Sequence, residues 1–475
     1  MNQNNVKSQR GTNKFVHEGF VYVKDKDSID GATIFWRCDR KYSGCRGRIW
    51  TNSVDGTFNC LRRNHTCCAT GDAARIEVLK VQTNVKHRAA STMETPSQIR
   101  TEVLQNASAA TLGRISSSMA MAKMVNRVRR KENVAPAIPD TRRGIEVPEN
   151  YKQYEVSEGV FENYLLMDSG NDDDNRILVF GREYNQTWAH DMRDIFMDGT
   201  FLLAPPLFKQ IFVVLARRGE RYVFPVLFCL LPNKTTQTYR KLFFLIKQQW
   251  PRFNPETINV DYEVAIHDAL RTEFPEADVR GCFFHLVQNL RKHLSSSNLL
   301  GRYQTDADFA LQARMITSLA FVPEENLMQA LIDLENYVTD DLEPIVAWFT
   351  NTYVGRLRNN GTRAPPNFPY ATWSVLQRTL AGSDRTNNYA EALHRKLQLG
   401  FGVAHPSIWK FLDGLKKIQK LFDATYEDFV AAREPPLKRR RYDEADRRIL
   451  TKVQNFDAGS IIEYLRGLSH NYRME

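Results

Sequence analysis

The sequence lacks the features that mark membrane and secreted proteins. None of its 475 residues falls in an apolar run of about 18 or more. The N-terminal stretch MNQNNVKSQRGTNK has no apolar core of the kind that a secretory signal needs. Internal repeats and low-complexity tracts are also missing. At 42% hydrophobic residues the chain is long enough for two or three domains with real cores. We therefore expect a mostly globular, soluble and intracellular protein.

Cysteine is scarce, and its placement is uneven. The chain has 7 cysteines, and those at positions 38, 45, 60, 67 and 68 crowd into one short stretch. They do not form an even disulfide pattern. Such crowding is typical of metal ligation in a reducing compartment, and zinc is the metal that we expect.

Acidic residues are scarce in the first third of the chain. Residues 1–150 hold 25 Lys+Arg and 14 Asp+Glu, a net charge of +11, whereas residues 151–475 hold 40 and 41, a net charge of −1. Lys and Arg gain affinity for polyanions by releasing phosphate counterions. We therefore expect a polyanion as the partner of this basic region. A basic surface that serves only solubility is the alternative.

The basic third divides into two predicted parts. Residues 12–70 contain the short strand patterns FVYVKD, ATIFWRCD, CRGRIWTN and TFNCLRRN, separated by turn residues, which predict a small antiparallel β sheet. Residues 75–150 form a basic helical region and linker. A helix is expected to open at TPSQIRTEVL, and VNRVRRK gives a basic helix end with Arg129, Arg130 and Lys131. Either a helix-turn-helix that contacts DNA or a basic linker fits this region.

The second part of the chain changes character at about residue 190. DIFMDGTF, KQIFVVLAR and YVFPVLFCLL predict three strands, and helix, strand and helix follow, so residues 190–425 predict a mixed α/β sheet. Strand signals disappear over about 290–380, which reads as a helical insertion. Residues 426–475 predict a basic helical tail. Its cluster Lys438 to Arg441 fits a nuclear import signal or a phosphate contact, and a solvated charge run is equally common.

Four residues of the first sheet are candidate zinc ligands: Cys38, Cys45, His65 and Cys67. Two ligands on one strand pair and two across the sheet can close a tetrahedral site, because zinc prefers four nitrogen or sulfur donors at about 2.0–2.3 Å. Cys68 is a possible substitute for Cys67, whereas Cys60 is expected to be an ordinary strand residue. The alternative is a set of small buried cysteines with a surface histidine. A sheet this short, however, needs a stabilising crosslink such as a bound metal.

This stretch resembles the FLYWCH zinc finger, within the wider WRKY and GCM group of DNA-binding zinc sheets. The last two ligands of the family motif are usually His-x-His, whereas this sequence has His65-x-Cys67, a pair that some relatives use. The resemblance implies DNA binding, and we assign DNA contacts to Arg37, Arg46 and Arg48. The segments that carry the resemblance are Phe20-Val21-Tyr22, Phe35-Trp36-Arg37-Cys38 and Cys45-Arg46-Gly47-Arg48.

Two acids follow apolar strand patterns in the second part of the chain. Asp198 stands in DIFMDGTF and Asp261 ends TINVD. Two strand-end carboxylates in one sheet are costly to bury unless they share a cation. Glu391, in SDRTNNYAEALHRKL, adds a third acid on a predicted helix. Two Mg²⁺ or Mn²⁺ ions could then activate a water or a 3′-hydroxyl and stabilise the leaving oxygen. A tight hairpin turn at Asp198-Gly199 is the alternative.

Residues 190–425 resemble the catalytic domain of the Mutator-like element (MULE) transposases, an RNase H-like fold with an Asp-Asp-Glu triad. The resemblance implies that Asp198, Asp261 and Glu391 are catalytic and hold the Mg²⁺ or Mn²⁺. Cys282, His285 and His394 belong to the same motifs without an assigned role, and packing, metal or DNA-end contact stays open for the first two. The motifs are DGTF at 198–201, D-x-E-x-A at 261–265, C-x-x-H at 282–285 and TNN followed by Glu391 and His394.

The leading hypothesis is therefore a MULE-type transposase, or a protein derived from one, with a zinc finger for DNA. A homo-oligomer is implied because transposases generally pair two DNA ends, and nuclear residence fits the rest. We expect neither a membrane nor a small-molecule substrate. The alternative is a domesticated, catalytically silent DNA-binding regulator. An RNA-binding zinc protein is weaker, because no aromatic RNA-binding sheet motif is visible.

Overall fold

The computed structural model describes residues 6–7, 12–67, 70–92, 94–132, 136, 138–435 and 440–472. The chain forms two units, one from the residues up to Pro136 and the other from Ala137–Leu399 together with Val403 onward. Several predictions fall outside the described residues. They concern Cys68, Lys438, Arg439 and the side chains of Arg130 and Lys131.

The first unit begins with an antiparallel sheet whose six strands pair in sequence order. Side chains alternate between the two faces of a strand, and one face of this sheet carries Phe15, Tyr22, Trp36 and Ile49 as a small core. The predicted small antiparallel sheet is confirmed, with two strands before the first predicted one. The strands are β1 Val6–Lys7, β2 Asn13–His17, β3 Phe20–Asp27, β4 Thr33–Cys38, β5 Arg48–Asn52 and β6 Phe58–Arg63.

Helices complete the first unit, and they pack around Val85, Ile99 and Val125. The helix that was predicted to begin at TPSQ does begin there, with Thr95 as its N-cap. The Thr95 hydroxyl accepts from the Gln98 backbone N–H, and the Gln98 side chain accepts in return from Thr95 N–H. The helices are α1 Ala73–Ser91, α2 Pro96–Leu104, α3 Ala109–Leu112 and α4 Ser118–Glu132.

The second unit contains a mixed sheet of seven strands and a separate two-stranded hairpin. The strands are β7 Gln153–Ser157, β8 Val160–Asn163, β9 Leu165–Asp168, β10 Leu178–Phe180, β11 Asp194–Thr200, β12 Gln210–Arg218, β13 Tyr222–Leu231, β14 Thr257–Val260 and β15 Asp278–Gly281. The mixed sheet has the order β15-β14-β11-β12-β13-β10-β9. β11, β12 and β13 are antiparallel, whereas β14 and β15 run parallel to β11. This arrangement confirms the predicted mixed α/β sheet and is consistent with an RNase H-like fold.

The hairpin interpretation of Asp198-Gly199 is wrong. β11 continues through both residues, and Asp198 pairs with Val213 while Gly199 pairs with Phe212. Glycine stands there because the space is occupied: a Cβ on Gly199 would lie 2.3 Å from Oε1 of the buried Gln210. Gly199 is therefore required by close packing beside the strand end, and the Asp-Gly pair does not form a turn.

Four strands before residue 190 were not predicted. β9 and β10 extend the mixed sheet beyond β13, and β7 pairs with β8. They are short, with three to five residues each, so they give too little sequence for a strand periodicity to be recognised. The apolar interior of the sheet includes Val179, Ile195, Val214 and Leu227, all fully buried.

The remaining helices lie after residue 148. They are α5 Glu149–Lys152, α6 Thr236–Gln249, α7 Val264–Glu273, α8 Phe283–Ser296, α9 Leu300–Thr305, α10 Ala307–Ser318, α11 Leu327–Tyr337, α12 Glu343–Phe349, α13 Tyr370–Trp373, α14 Leu376–Leu380, α15 Asn388–Phe401, α16 Ile408–Val430, α17 Arg440–Gln454 and α18 Ile461–Ser469. A π-helical turn covers Thr350–Gly355. Among the helices that the structure describes, none has the length and apolar character to cross a membrane.

The predicted insertion and the predicted tail share one apolar core. α8 and the helices up to α14 surround Leu290, Ile316 and Trp373, and α18 adds Leu465 and Leu468 to the same cluster. The helical C-terminus is confirmed, and its apolar face is covered by the insertion.

Candidate functional sites

The four predicted zinc ligands lie together in the first unit. Cys38 ends β4, Cys45 lies in the loop before β5, and His65 and Cys67 follow β6. Their ligand atoms all lie within 4.8 Å of one another. Cys45 Sγ is 3.4 Å from His65 Nδ1, and Cys67 Sγ is 3.8 Å from the same nitrogen. The antiparallel pairing of β4, β5 and β6 brings these distant segments to one place.

The surroundings of His65 fix the orientation of its ring. Tyr22 Oη is 2.7 Å from His65 Nε2, so Nδ1 is the nitrogen that faces the cysteines. The Phe20 ring stacks on the imidazole with a centroid distance of 3.7 Å. Gly47 leaves the room for it, because a Cβ there would lie 2.6 Å from His65 Nδ1. A partner on the second ring nitrogen is the usual support of a metal-binding histidine.

Zinc binds cysteine as the thiolate, and the surroundings of Cys45 favour that form. Burial would raise the pKa of Cys45, but backbone N–H groups of Gly47 and Thr66 and contacts with Cys67 and His65 lower this pKa to about 5. Burial raises the pKa of Cys38. Three sulfur donors and one imidazole nitrogen make a complete set for a structural site, so the cluster is consistent with zinc.

Three of the arginines assigned to DNA lie on or beside this sheet. Arg37 of β4 and Arg48 of β5 are cross-strand partners, and Arg63 of β6 lies opposite Arg48. Asp25 contacts the first two, at 2.6 Å and 3.7 Å. Arg46 is exposed in the loop between the ligands. The strand register places Arg63 beside Arg48, a position that the sequence analysis did not predict.

Arg129 of α4 has a structural position. Its guanidinium donates to the backbone carbonyls of Ala89, Thr92 and Glu94, at distances of 3.2, 3.1 and 2.6 Å. These three bonds join the end of α4 to the end of α1 and the loop that follows. The contacts favour a structural role for Arg129 over a DNA contact.

The two predicted strand-end acids lie at one edge of the mixed sheet. Asp198 is near the end of β11, and Asp261 directly follows β14. β11 and β14 are neighbouring parallel strands, so their carboxyl ends meet at the same edge. Each carboxylate accepts a local backbone hydrogen bond, from Gly199 N at 2.8 Å and from Tyr262 N at 2.5 Å.

Glu391 lies in the first turn of α15, and two hydrogen bonds hold the start of that helix at the sheet. The side-chain amide of Asn387 donates to the Met197 carbonyl at 2.9 Å, beside Asp198. The backbone N–H of Asn387 donates to Cys282 Sγ at 3.1 Å. Cys282 is buried just before α8, so the first residue of the C-x-x-H motif supports the position of α15.

Asp198 and Glu391 have raised pKa values. Burial raises the pKa of Asp198 to about 6, with the His285 charge opposing this and the Asp261 charge adding to it. Burial raises the pKa of Glu391 to about 7, again opposed by His285 and increased by Asp198. The Oε1 atom of Glu391 is buried without a hydrogen-bond partner among the described residues. A buried carboxylate with such a pKa marks a candidate functional site.

Two histidines lie beside the acids. His285 Nδ1 is 3.9 Å from Asp261 Oδ1; burial lowers its pKa, but Cys282 and the charges of Asp261 and Asp198 raise it overall to about 10. His394 Nδ1 is 3.6 Å from Asp198 Oδ2, and burial together with the His285 charge lowers its pKa to about 4. Both predicted histidines of open role therefore border the acidic site.

The acids form a looser group than the zinc ligands. Within the described part of the chain, only the cysteine and histidine cluster brings three or more candidate ligand atoms within 4.8 Å of one another. A further residue, Lys234, was not predicted to belong to this edge, yet its charge lowers the pKa of Asp198 and its ammonium pairs with Glu263. No periodicity points to Lys234, because it stands in a loop.

The fold and the two sites define a class of protein: a zinc-binding β sheet with helices, joined to an RNase H-like domain with acids at its sheet edge. Residues 5–66 match the FLYWCH zinc finger domain, and residues 195–289 match the MULE transposase domain. Both predicted resemblances are confirmed. The second match includes Asp198, Asp261 and His285, and it ends before Glu391. A search of curated proteins found no match.

Proposed function

We propose that this chain is a MULE-type transposase that binds DNA with its zinc-finger unit and cuts and joins phosphodiesters at the acidic edge of its second unit. The observation that carries the proposal is the meeting of Asp198 and Asp261 at the ends of two neighbouring parallel strands. Glu391 reaches the same edge because Asn387 bonds to the residue before Asp198.

The donor set of this edge fits Mg²⁺ or Mn²⁺. Carboxylate oxygens are the ligands that these hard cations prefer. Asp198 is largely buried and Glu391 is partly buried. Oε1 of Glu391 is without a hydrogen-bond partner among the described residues. Buried carboxylates of this kind are stabilised by a shared cation. Asp198 and Asp261 would hold the ions, and Glu391 would complete the second position.

When bound, two such ions supply an activated water or 3′-hydroxyl and stabilisation of the leaving oxygen. The chain itself orients the carboxylates. Gly199 N and Tyr262 N each fix one oxygen of an aspartate, and the buried Asn387 fixes the helix of the third acid. No protein nucleophile is needed for such chemistry.

The first unit would hold the DNA. Arg37, Arg48 and Arg63 form a row across neighbouring strands, and Arg46 is exposed at the zinc loop. Such a row supplies phosphate contacts and base-edge donors. A homo-oligomer that pairs two DNA ends and residence in the nucleus are part of the same proposal.

The second candidate is a domesticated DNA-binding regulator that keeps the sheet as a scaffold. The loose spacing of the acids favours it, since the described residues bring no three of them within 4.8 Å. This candidate predicts that neutralising the acids leaves function unchanged, whereas the transposase loses activity.

The test is nicking of supercoiled plasmid in Mg²⁺ and in Mn²⁺. Wild type is compared with Asp198→Asn and with Asp194→Asn, which makes the same change at the opposite end of β11. The transposase predicts metal-dependent nicking that falls by at least about 100-fold in Asp198→Asn, because one ligand charge is lost. Asp194→Asn should retain it.

Cys38→Ser is the zinc-site control in the same assay. It removes a candidate zinc ligand and should weaken DNA binding of the whole protein. Equal nicking by wild type and Asp198→Asn would contradict the proposal. Absence of nicking by folded, DNA-binding wild type in both metals, on plasmids with and without candidate element ends, would favour the regulator.

A further inference from the structure

Two large apolar side chains are exposed directly beside the acidic edge. Phe201 and Leu202 follow β11, three and four residues after Asp198, and they are 44% and 47% exposed. The next residues, Leu203 and Ala204, are buried at 1% and 2%. The chain therefore enters the core immediately after it has presented these two side chains to solvent.

The exposure belongs to a loop whose backbone is held in place. The backbone N–H of His405 donates to the Leu202 carbonyl at 2.9 Å, and its ring Nδ1 contacts the Ala204 carbonyl at 3.2 Å. Ala204 N also donates to the Phe201 carbonyl at 3.1 Å. The carbonyls of both exposed residues are therefore hydrogen-bonded, and the backbone that carries the apolar pair is held in place.

A cation lies against the Phe201 ring. The Lys234 ammonium is 4.8 Å from the centre of the Phe201 ring and forms an ion pair with Glu263. The ammonium lies over one face of this ring, and a ring with an ammonium at one face matches the two parts of a nucleotide, a flat base and a phosphate.

We propose that Phe201, with Leu202 and Lys234, binds an unpaired nucleotide next to the phosphate that is cut, with the base stacked on the Phe201 ring. The inference rests on the proposed function, because it places DNA at the acidic edge. Two side chains are too few for a stable protein interface, which buries about 800 Å² on each partner. One ring, however, is enough for one base.

The arrangement assigns a role to each side chain. A base leaves the stack only if another surface replaces its neighbour, and stacking on an aromatic ring tolerates any base. Leu202 is positioned to cover the end of the remaining duplex, and Lys234 neutralises a phosphate of the unpaired strand. DNA that is already unpaired should therefore bind more tightly than intact duplex.

The experiment compares a forked DNA duplex with a fully paired duplex of the same sequence, using the full chain. Binding is measured in Ca²⁺, which takes oxygen ligands at longer distances than Mg²⁺. An abasic position is then moved along the unpaired arm. Wild type should prefer the fork and lose at least about fivefold in affinity when the stacked base is removed, the size of one stacking contact.

Three variants make the effect specific to Phe201. Phe201→Ala should lose the effect of the abasic position, whereas Phe201→Trp should keep it. Phe244→Ala is the matched control, because Phe244 is a 52% exposed phenylalanine on α6. It should behave as wild type. Circular dichroism of each variant confirms that the fold is kept.

The outcomes distinguish this inference from the proposed function. If wild type shows no preference for the fork, or if the abasic effect is equal in wild type and Phe201→Ala at every position, the inference is overturned, whatever the result of plasmid nicking. A preference that depends on Phe201 in a chain that does not nick DNA supports nucleotide binding and rejects the nuclease.

Discussion

At the scale of single residues, Tyr22 shows how a side chain outside the ligand set can support a metal site. Its hydroxyl is 2.7 Å from Nε2 of His65, and its ring belongs to the core of the small sheet. The hydrogen bond leaves Nδ1 of His65 directed at Cys45 and Cys67. Partners of this kind orient metal-binding histidines and increase the basicity of the ligand nitrogen.

Tyr22→Phe should therefore weaken zinc binding by about tenfold without unfolding the sheet, because the ring stays in the core and only the hydrogen bond is lost. The measurement is competition for zinc with a chromophoric chelator. Tyr42→Phe is the matched control, since Tyr42 is 92% exposed and should leave the affinity unchanged. Equal affinities for Tyr22→Phe and wild type would show that the bond does not support the site.

At this scale, the sequence predicts the residues of the zinc site well and the contacts around the acids less well. Ligand type and spacing were sufficient to select Cys38, Cys45, His65 and Cys67, because zinc restricts its donors to few side chains. The contact of His285 with Asp261 was not predicted. A histidine that packs in the core and one that contacts the acids give the same residue pattern in a sequence. Only the tertiary structure distinguishes the two positions.

At the scale of elements, the position of α15 depends on one buried amide. Asn387 is 0% exposed, and its side chain donates to the carbonyl of Met197 in β11. Its backbone N–H donates to Cys282, which lies before α8. Three elements therefore meet at Asn387, and the helix that carries Glu391 is placed by these contacts.

Asn387→Leu should lower the free energy of unfolding by about 1–3 kcal/mol, because it leaves the Met197 carbonyl buried without its donor. Urea denaturation checks this value. Asn388→Leu changes the adjacent residue, which is exposed, and should alter stability by less than about 0.5 kcal/mol. A similar loss in both variants would mean that the buried amide does not position the helix.

The strand elements show why local patterns mislead. Asp-Gly is a strong turn signal, yet Gly199 lies within β11 because Gln210 fills the space beside it. The reason for the glycine lies on the neighbouring strand, and the sequence around Asp198 does not contain it. Short strands such as β9 and β10 are stabilised by their neighbours in the sheet, and their own pattern is too weak to predict them.

At the scale of the whole molecule, the second unit builds its helical core from segments far apart in the chain. Leu465 of α18 is fully buried in the cluster that contains Leu290 and Trp373. Tyr472 adds a polar link, since its hydroxyl donates to the Arg314 carbonyl at 2.7 Å. The C-terminal helices are thus part of the insertion's core and are more than a basic tail.

Leu465→Ala should lower the free energy of unfolding by about 2–5 kcal/mol, the range for truncating a large side chain in a packed core. Leu421→Ala serves as the control, because Leu421 is 55% exposed on α16. Urea denaturation followed by far-ultraviolet circular dichroism measures both. If the two variants lose the same stability, α18 does not contribute to the core in solution.

The sequence by itself determined the properties that depend on residue type and local spacing: the basic first third, the zinc ligands, the strands of the mixed sheet around Asp198 and Asp261, and the similarity to two families. The tertiary structure alone decided how those pieces meet. It joined the tail to the insertion, placed His285 and His394 beside the acids, and exposed Phe201 next to Lys234. The physical reason is that zinc ligation and strand periodicity are recognisable from residue type and local spacing, whereas burial and contact depend on which segments of the chain the fold brings together.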